Sequence, residues 1–213
     1  MIQNTGGLIL RVGTIRPTNL NGIAISGHRG ASFRGTLASY TAIMKTVVLG
    51  DPPPLLASLI ADRKRLGLDR HDEVWQGEYH MAPAASYEHG KAEAILASLL
   101  RPIAIECDLE IGMAFNLGTL GNFRVPDLGV HRGRPSGAWL PTAAIVVEVR
   151  SPDDETYDKF AFYFENGVEE VLVVDLTSHD VSWFGRGEHG FLQAVSSCVL
   201  GLSAGDVRNE LGW

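Results

Sequence analysis

The chain has 213 residues, 45% hydrophobic and 20% charged, which suits one globular domain with a sizeable core and excludes a disordered protein. A formal net charge of −7 argues against a tight, non-specific nucleic-acid binder, which would carry a basic excess. It leaves room for an enzyme that meets phosphates locally, with a metal ion screening its acidic centre. No run approaches the ~18 apolar residues of a membrane span. The two cysteines, Cys107 and Cys198, fit no metal-ligand spacing. Both fall in apolar runs and read as buried free thiols in a reducing compartment such as the cytoplasm.

Charge divides the chain near Met44. Residues 1–43 contain no Asp or Glu and carry Arg11, Arg16, Arg29 and Arg34, for +4, so the remainder holds −11. This segment reads in three ways: an organelle transit peptide, a small extension with a hairpin turn over 18–23, or sequence upstream of a true start at Met44. The third is preferred, because residues 44–213 make a self-contained domain. Within the segment, His28-Arg29-Gly30 resembles the opening of glycerophosphodiester phosphodiesterases. The Glu that should follow is missing, and too few residues remain for that family's barrel.

From Met44 onward the elements follow in order. Apolar positions 55, 56, 59, 60 and 66 predict a helix closed at Gly67. Residues 73–76 and 79–81, around Gly77-Glu78, predict a hairpin. Ser86 opens a second helix with Ala92, Ile95, Leu96, Leu99 and Leu100 on one face, and Pro102 follows it closely. Strand-like runs cover about 103–114, 122–131, 143–150, 170–176 and 180–185, with a weaker sixth at 190–195. A helix over 153–166 interrupts them, begun by Ser151-Pro152-Asp153-Asp154-Glu155 and closed by Asn166-Gly167. The order predicts a mixed α/β domain with a central sheet flanked by helices.

Two acids stand out. Asp127 follows Pro126 at the end of one apolar run, and Glu148 interrupts the next, Ala143-Ala144-Ile145-Val146-Val147-Glu148-Val149-Arg150. A buried carboxylate is costly unless it is paired or binds a cation. Two on neighbouring strands form a plausible metal site, and Mg²⁺ is usually held by one or two carboxylates together with waters and phosphates. Alternation places Glu148 and Arg150 on one face of their strand. Lys159, on the following helix, could orient a water or neutralise a phosphate, whereas Arg150 is always protonated and cannot act as a base. Simpler roles stay open. Asp127 could cap a turn, Glu148 could pair with Arg150 or Arg124, and Lys159 could pair with Glu155 one turn earlier.

The order Pro126-Asp127, then Glu148 near the end of the next strand, resembles the PD-(D/E)xK nuclease superfamily. More narrowly, the chain is similar to the Uma-type restriction-endonuclease-like family. The likeness rests on Val147-Glu148-Val149-Arg150-Ser151-Pro152, on Tyr157-Asp158-Lys159 with Tyr163, and on residues 167–175. The stretch 72–83 and the pair Glu88-His89 add to it. The likeness spans about 55–195 and implies a restriction-endonuclease-like fold with an αβββαβ core. It implies Mg²⁺ or Mn²⁺ on Asp127 and Glu148, with Glu78 a weaker candidate ligand, and DNA as the partner. Arg150 stands where the superfamily's E-x-K motif has lysine, and in the Uma-type family that lysine moves to the next helix, where Lys159 lies. His89 is the residue expected to assist from the first core helix. The implied reaction is hydrolysis of a DNA phosphodiester by a metal-activated water. A non-catalytic binding or assembly module of the same fold, or a hydrolase of another phosphate ester, are the alternatives. A homodimer is left open.

Overall fold

The computed structural model describes residues 46–48, 54–152 and 154–213. The acid-free segment 1–43, its His28-Arg29-Gly30 motif and the choice of start at Met44 lie outside the described residues. In chain order, strand β1 (Thr46–Val48) and helix α1 (Pro54–Leu66) precede the hairpin β2 (Glu73–Trp75) and β3 (Glu78–Met81). Its two turn residues, Gln76 and Gly77, both have positive φ (51° and 91°), as a tight hairpin with the strands' twist requires. Helix α2 (Tyr87–Glu106) then leads into β4 (Leu109–Met113), β5 (Asn116–Thr119), β6 (Asn122–Arg124) and β7 (Leu128–Arg132). After β8 (Trp139–Leu140) and β9 (Ile145–Arg150), a 3₁₀ turn (Thr156–Lys159) runs into α3 (Phe160–Glu165). The chain closes with β10 (Glu170–Asp175), β11 (Asp180–Arg186), β12 (Phe191–Ala194) and α4 (Ala204–Leu211).

The expected mixed α/β architecture is present, but it is built on two sheets rather than one. The main sheet runs β12-β11-β10-β9-β7-β4, and the smaller one β1-β3-β2-β6-β5-β8. In the main sheet β9 and β10 are parallel, joined by the 3₁₀ turn and α3, while the other pairs are antiparallel. The αβββαβ core is α2, β4, β7, β9, α3 and β10, and the β5–β6 hairpin is inserted between its first two strands.

Alternation along β9 explains its unbroken apolar run. Ile145, Val147 and Val149 pack toward α2 and α4 with Leu96, Leu100, Leu172, Val207 and Trp183. Val146 faces the other way, toward Phe162 and Tyr163 of α3 and Leu117 of the smaller sheet. A strand covered on both faces is apolar at every position. Glu148 belongs to the Val146 face, so its carboxylate is sealed between the main sheet, α3 and the smaller sheet. Gly118 keeps this seam closed. Its φ is 116°, and a Cβ there would meet the Asn122 carbonyl oxygen at 2.6 Å and Phe162 at 2.8 Å. Gly118→Ala is therefore expected to cost ~2 kcal/mol or more in a urea melt, since backbone conformation and packing both oppose it.

Several expectations change. Pro102 does not end α2, which continues to Glu106 and shortens the run at 103–114 to the strand Leu109–Met113. Leu100 and Ala104 are fully buried on the same helix face, and their burial outweighs the one helical hydrogen bond that proline cannot donate. The helix expected over 153–166 narrows to the 3₁₀ turn plus α3, and Gly167, with φ 75°, closes it as foreseen. Cys107 and Cys198 are exposed rather than buried, in the cap after α2 and the turn after β12. Helix α4 was not expected, although Ser203 and Asp206 spell its reciprocal N-terminal cap. Among the described residues no helix is long and apolar enough to cross a membrane.

Candidate active site

The strand pairing brings Asp127 and Glu148 to one end of the main sheet. Leu128 pairs with Val147 in the antiparallel β7–β9 ladder, so Asp127 stands at the next step, opposite Glu148. Pro126 offers no N–H, and the main-chain ladder stops there. The Asp127 side chain takes over: its Oδ2 accepts the Val149 N–H at 2.7 Å. Its Oδ1 faces Nε2 of His89 at 3.2 Å.

His89 lies in the first turn of α2, behind the Ser86 cap, which accepts its backbone N–H at 3.2 Å. Its ring bridges three elements. Nδ1 lies 3.3 Å from Ser151 Oγ, and Nε2 lies 3.6 Å from Glu93 Oε1 as well as close to Asp127. Burial alone would lower the imidazole pKa. Hydrogen bonds and negative charge from Asp127 and Glu93 more than offset it and hold the ring up to about 10, protonated at neutral pH. The neighbouring Glu88 is exposed on the helix surface.

Behind Asp127 lies a buried ionic cluster. Lys159 Nζ stands 3.2 Å from both oxygens of Glu148 and 3.0 Å from Glu73 Oε1. The Tyr163 hydroxyl donates to Glu148 Oε1. Glu73 is also fixed by the Val125 N–H at 2.9 Å and the Trp75 indole N–H at 2.6 Å. Burial pushes the Glu148 carboxyl up, against the pull of the Lys159 charge. Burial alone would lower Lys159, but Glu148 and then Glu73 raise it above its ordinary range, so it stays an ammonium. Burial, followed by the nearby carboxylates, raises Tyr163 and keeps it a neutral donor. Arg124 is stacked between Trp75 and Phe162, its guanidinium carbon 4.2 and 4.1 Å from their ring centres.

Asp127, Glu148, Lys159 and His89 thus occupy one region. Arg150 shares the face of Glu148 one step along β9 but is bound to Asp175, its register partner on β10, beneath the ring of Tyr157. Glu148 pairs with Lys159, not with Arg150 or Arg124. Glu78 does not join the cluster. It stands exposed at the turn end of the β2–β3 hairpin, and Glu73, two strand positions before its partner Trp75, is the hairpin acid that reaches Lys159. Glu73, Glu93 and Tyr163 were not assigned roles from the sequence. Glu93 and Tyr163 each lie four residues after an expected site residue, His89 and Lys159, which is the spacing of helix neighbours. Glu73 carried only a weaker sign, an acid inside the apolar hairpin strand. Among the described residues, His89, Glu93 and Asp127 are the group of metal-ligating side chains that converge, with one donor atom of each within 4.8 Å of the others. Once the imidazole gives up its proton, one nitrogen and two carboxylate oxygens make a donor set that a divalent cation accepts.

Comparison with known proteins agrees with this architecture. The chain is 27% identical over 128 residues to an uncharacterized protein of Synechocystis sp., a match covering 55% of this chain and 67% of that protein. The crystal structure of a "putative nuclease belonging to DUF820" from Anabaena variabilis superposes with a TM-score of 0.55 at 14% identity. That superposition covers 66% of this chain and 90% of the other, and shows a shared fold. The Uma2 family model, described as "Putative restriction endonuclease", matches residues 64–206, from the end of α1 to α4 and including every residue of the cluster. The chain belongs to the Uma2 family of restriction-endonuclease-like proteins.

Proposed function

We propose that the chain is a metal-dependent endonuclease that hydrolyses DNA phosphodiester bonds. The observation that carries this reading is the meeting of Asp127 and Glu148 at one end of adjacent strands, with the Lys159 ammonium against Glu148. A Mg²⁺ or Mn²⁺ ion on Asp127 and Glu148 would supply an activated water and screen the charge of the phosphate. The chain's own residues set the stage for that chemistry. Val149 N–H and His89 orient the two oxygens of Asp127. Tyr163 and Lys159 hold Glu148 in one rotamer, and Lys159 keeps positive charge where the phosphate gains negative charge. Pro126 ends the β7–β9 ladder at this point, so Asp127 sits just before the first residue of β7, with the buried Glu148 behind it.

One observation favours a non-catalytic role in the same fold: Lys159 is engaged by two carboxylates, as a structural ammonium would be. The full chain incubated with supercoiled plasmid separates the two. Under the nuclease reading, nicking appears with Mg²⁺ or Mn²⁺, falls to background when the metal is chelated, and returns when it is restored. Metal binding seen by calorimetry, with no nicking in either ion, would favour the binding module.

A further inference from the structure

We infer that the outer face of the smaller sheet holds an unpaired stretch of DNA, its bases stacked on aromatic rings and its phosphates met by Lys64 and Arg70. The choice of DNA rests on the endonuclease reading above, whereas the groove is separate from the acid cluster. Val74 pairs in register with Tyr79 on β3 and with Phe123 on β6. Its neighbours Glu73 and Trp75 point inward, to Lys159 and Arg124, so alternation turns Val74, Tyr79 and Phe123 outward. Trp139 of β8 joins them, edge-on to Phe123 with ring centres 4.9 Å apart, and remains 41% exposed. With the end of α1 and the loop after it, these side chains line an open cavity of about 610 Å³, a size that suits a nucleotide.

Charge names the occupant. Among the described residues, the arginines and lysines of this acidic protein are held by carboxylates or main-chain carbonyls, as with Arg65 on Asp62, Arg132 on Glu169, Arg186 on the Phe164 carbonyl and Arg208 on Asp180. The exceptions are Lys64 and Arg70 on this groove, and Lys91 and Arg101 on the exposed surface of α2. Of the two acids on the rim, Asp72 is taken up by the Arg63 guanidinium at 2.6 and 2.8 Å and by the Tyr79 hydroxyl at 2.7 Å. Asp69 is then left to oppose two cations, and the groove keeps a positive excess. Lys64 Nζ stands 5.8 Å from the centre of the Tyr79 ring, so charge and ring surface lie side by side.

That pairing suits a single strand, whose bases are free to stack while its phosphates pass the cations. A duplex keeps its base faces covered, and an acidic peptide brings charge without planar rings. Strand β2 belongs to both surfaces, with Glu73 toward the acid cluster and Val74 toward the groove, so a strand held there lies one sheet away from that cluster.

The test is anisotropy of a fluorescein-labelled oligothymidylate of about 12 nucleotides with the full chain, metals chelated, beside a duplex of the same length and a poly-glutamate peptide. The wild type is expected to bind the oligonucleotide about 10-fold or more tighter than either comparison, with quenching of tryptophan fluorescence. Lys64→Gln with Arg70→Gln should weaken binding about 10-fold and lower the slope of log affinity against log salt by about 1.4, as for two phosphate contacts. Trp139→Leu should weaken binding about 10-fold and abolish the quenching while keeping the salt slope. Arg101→Gln, which removes an unmatched cation elsewhere, should stay within about 2-fold. Circular dichroism checks the fold, and the variant at the exposed Lys64 and Arg70 decides the matter if Trp139→Leu does not fold. Binding left unchanged by these groove variants, equal affinity for duplex or poly-glutamate, or no binding of the oligonucleotide would each overturn the inference. Oligonucleotide binding without metal-dependent nicking would overturn the endonuclease reading and keep the groove, and nicking without oligonucleotide binding would do the reverse.

Discussion

Asp127→Asn and Glu148→Gln are each expected to lower metal-dependent plasmid nicking by about 10²–10³-fold or more, the scale on which loss of a charge-stabilising group acts. Both changes keep shape and remove charge. In Asp127→Asn the amide oxygen can still accept the Val149 N–H, so the strand junction is expected to survive. In Glu148→Gln the amide oxygen can still accept from the Tyr163 hydroxyl. Loss of nicking would then reflect loss of the cation's ligands rather than loss of fold. Arg132→Gln is a suitable control, since Arg132 and Glu169 form an exposed pair on the far side of β7 with N–O separations of 2.7 and 2.8 Å. Exposed pairs contribute little, and nicking should stay within about 2-fold. Nicking that persists in both acid variants would remove Asp127 and Glu148 from the site.

Lys159→Met carries the largest expected stability effect. Lys159 is the cation between two buried acids, Glu73 and Glu148. Removing it leaves two buried carboxylates without a counter-charge, which typically costs ~3–5 kcal/mol. Adding Glu73→Gln and Glu148→Gln should recover most of that loss, because neutral side chains need no counter-charge. Urea denaturation in the presence of a chelator compares wild type, single variant and triple variant. The pH dependence follows from the raised lysine. Its stabilising contribution is complete below the ordinary value of 10.5 and declines as pH rises beyond it. The triple variant should lack this alkaline decline. A single variant within ~1 kcal/mol of wild type would show that Lys159 does not compensate the buried pair.

Much of this was legible in the sequence because a few residues carry their context with them. Glu148 is conspicuous in an apolar strand, and Pro126 marks where a ladder must stop. Lys159 was legible through its place after that strand, though its partner was not: spacing alone pointed to Glu155, whereas the 3₁₀ turn aims the side chain inward. The second sheet was hidden because β5 and β8 are short, four and two residues, and contain glycine or border proline. Pro102 was misleading for a different reason. Local propensity disfavours it in a helix, and only the tertiary burial of Leu100 and Ala104 reverses that preference. Glu73 lies 75 positions before Glu148, so its part in the same cluster depends on how the two sheets dock, which no local pattern records.

The bond from the Val149 main chain to Asp127 has a consequence for how this region tolerates change. A side-chain anchor can be lost by many single substitutions, but this donor is present in every residue except proline. Position 149 can therefore vary among strand-forming residues without releasing Asp127, and Val149→Pro alone would free it. The acid is tied to the one feature of β9 that drift in its side chains leaves untouched.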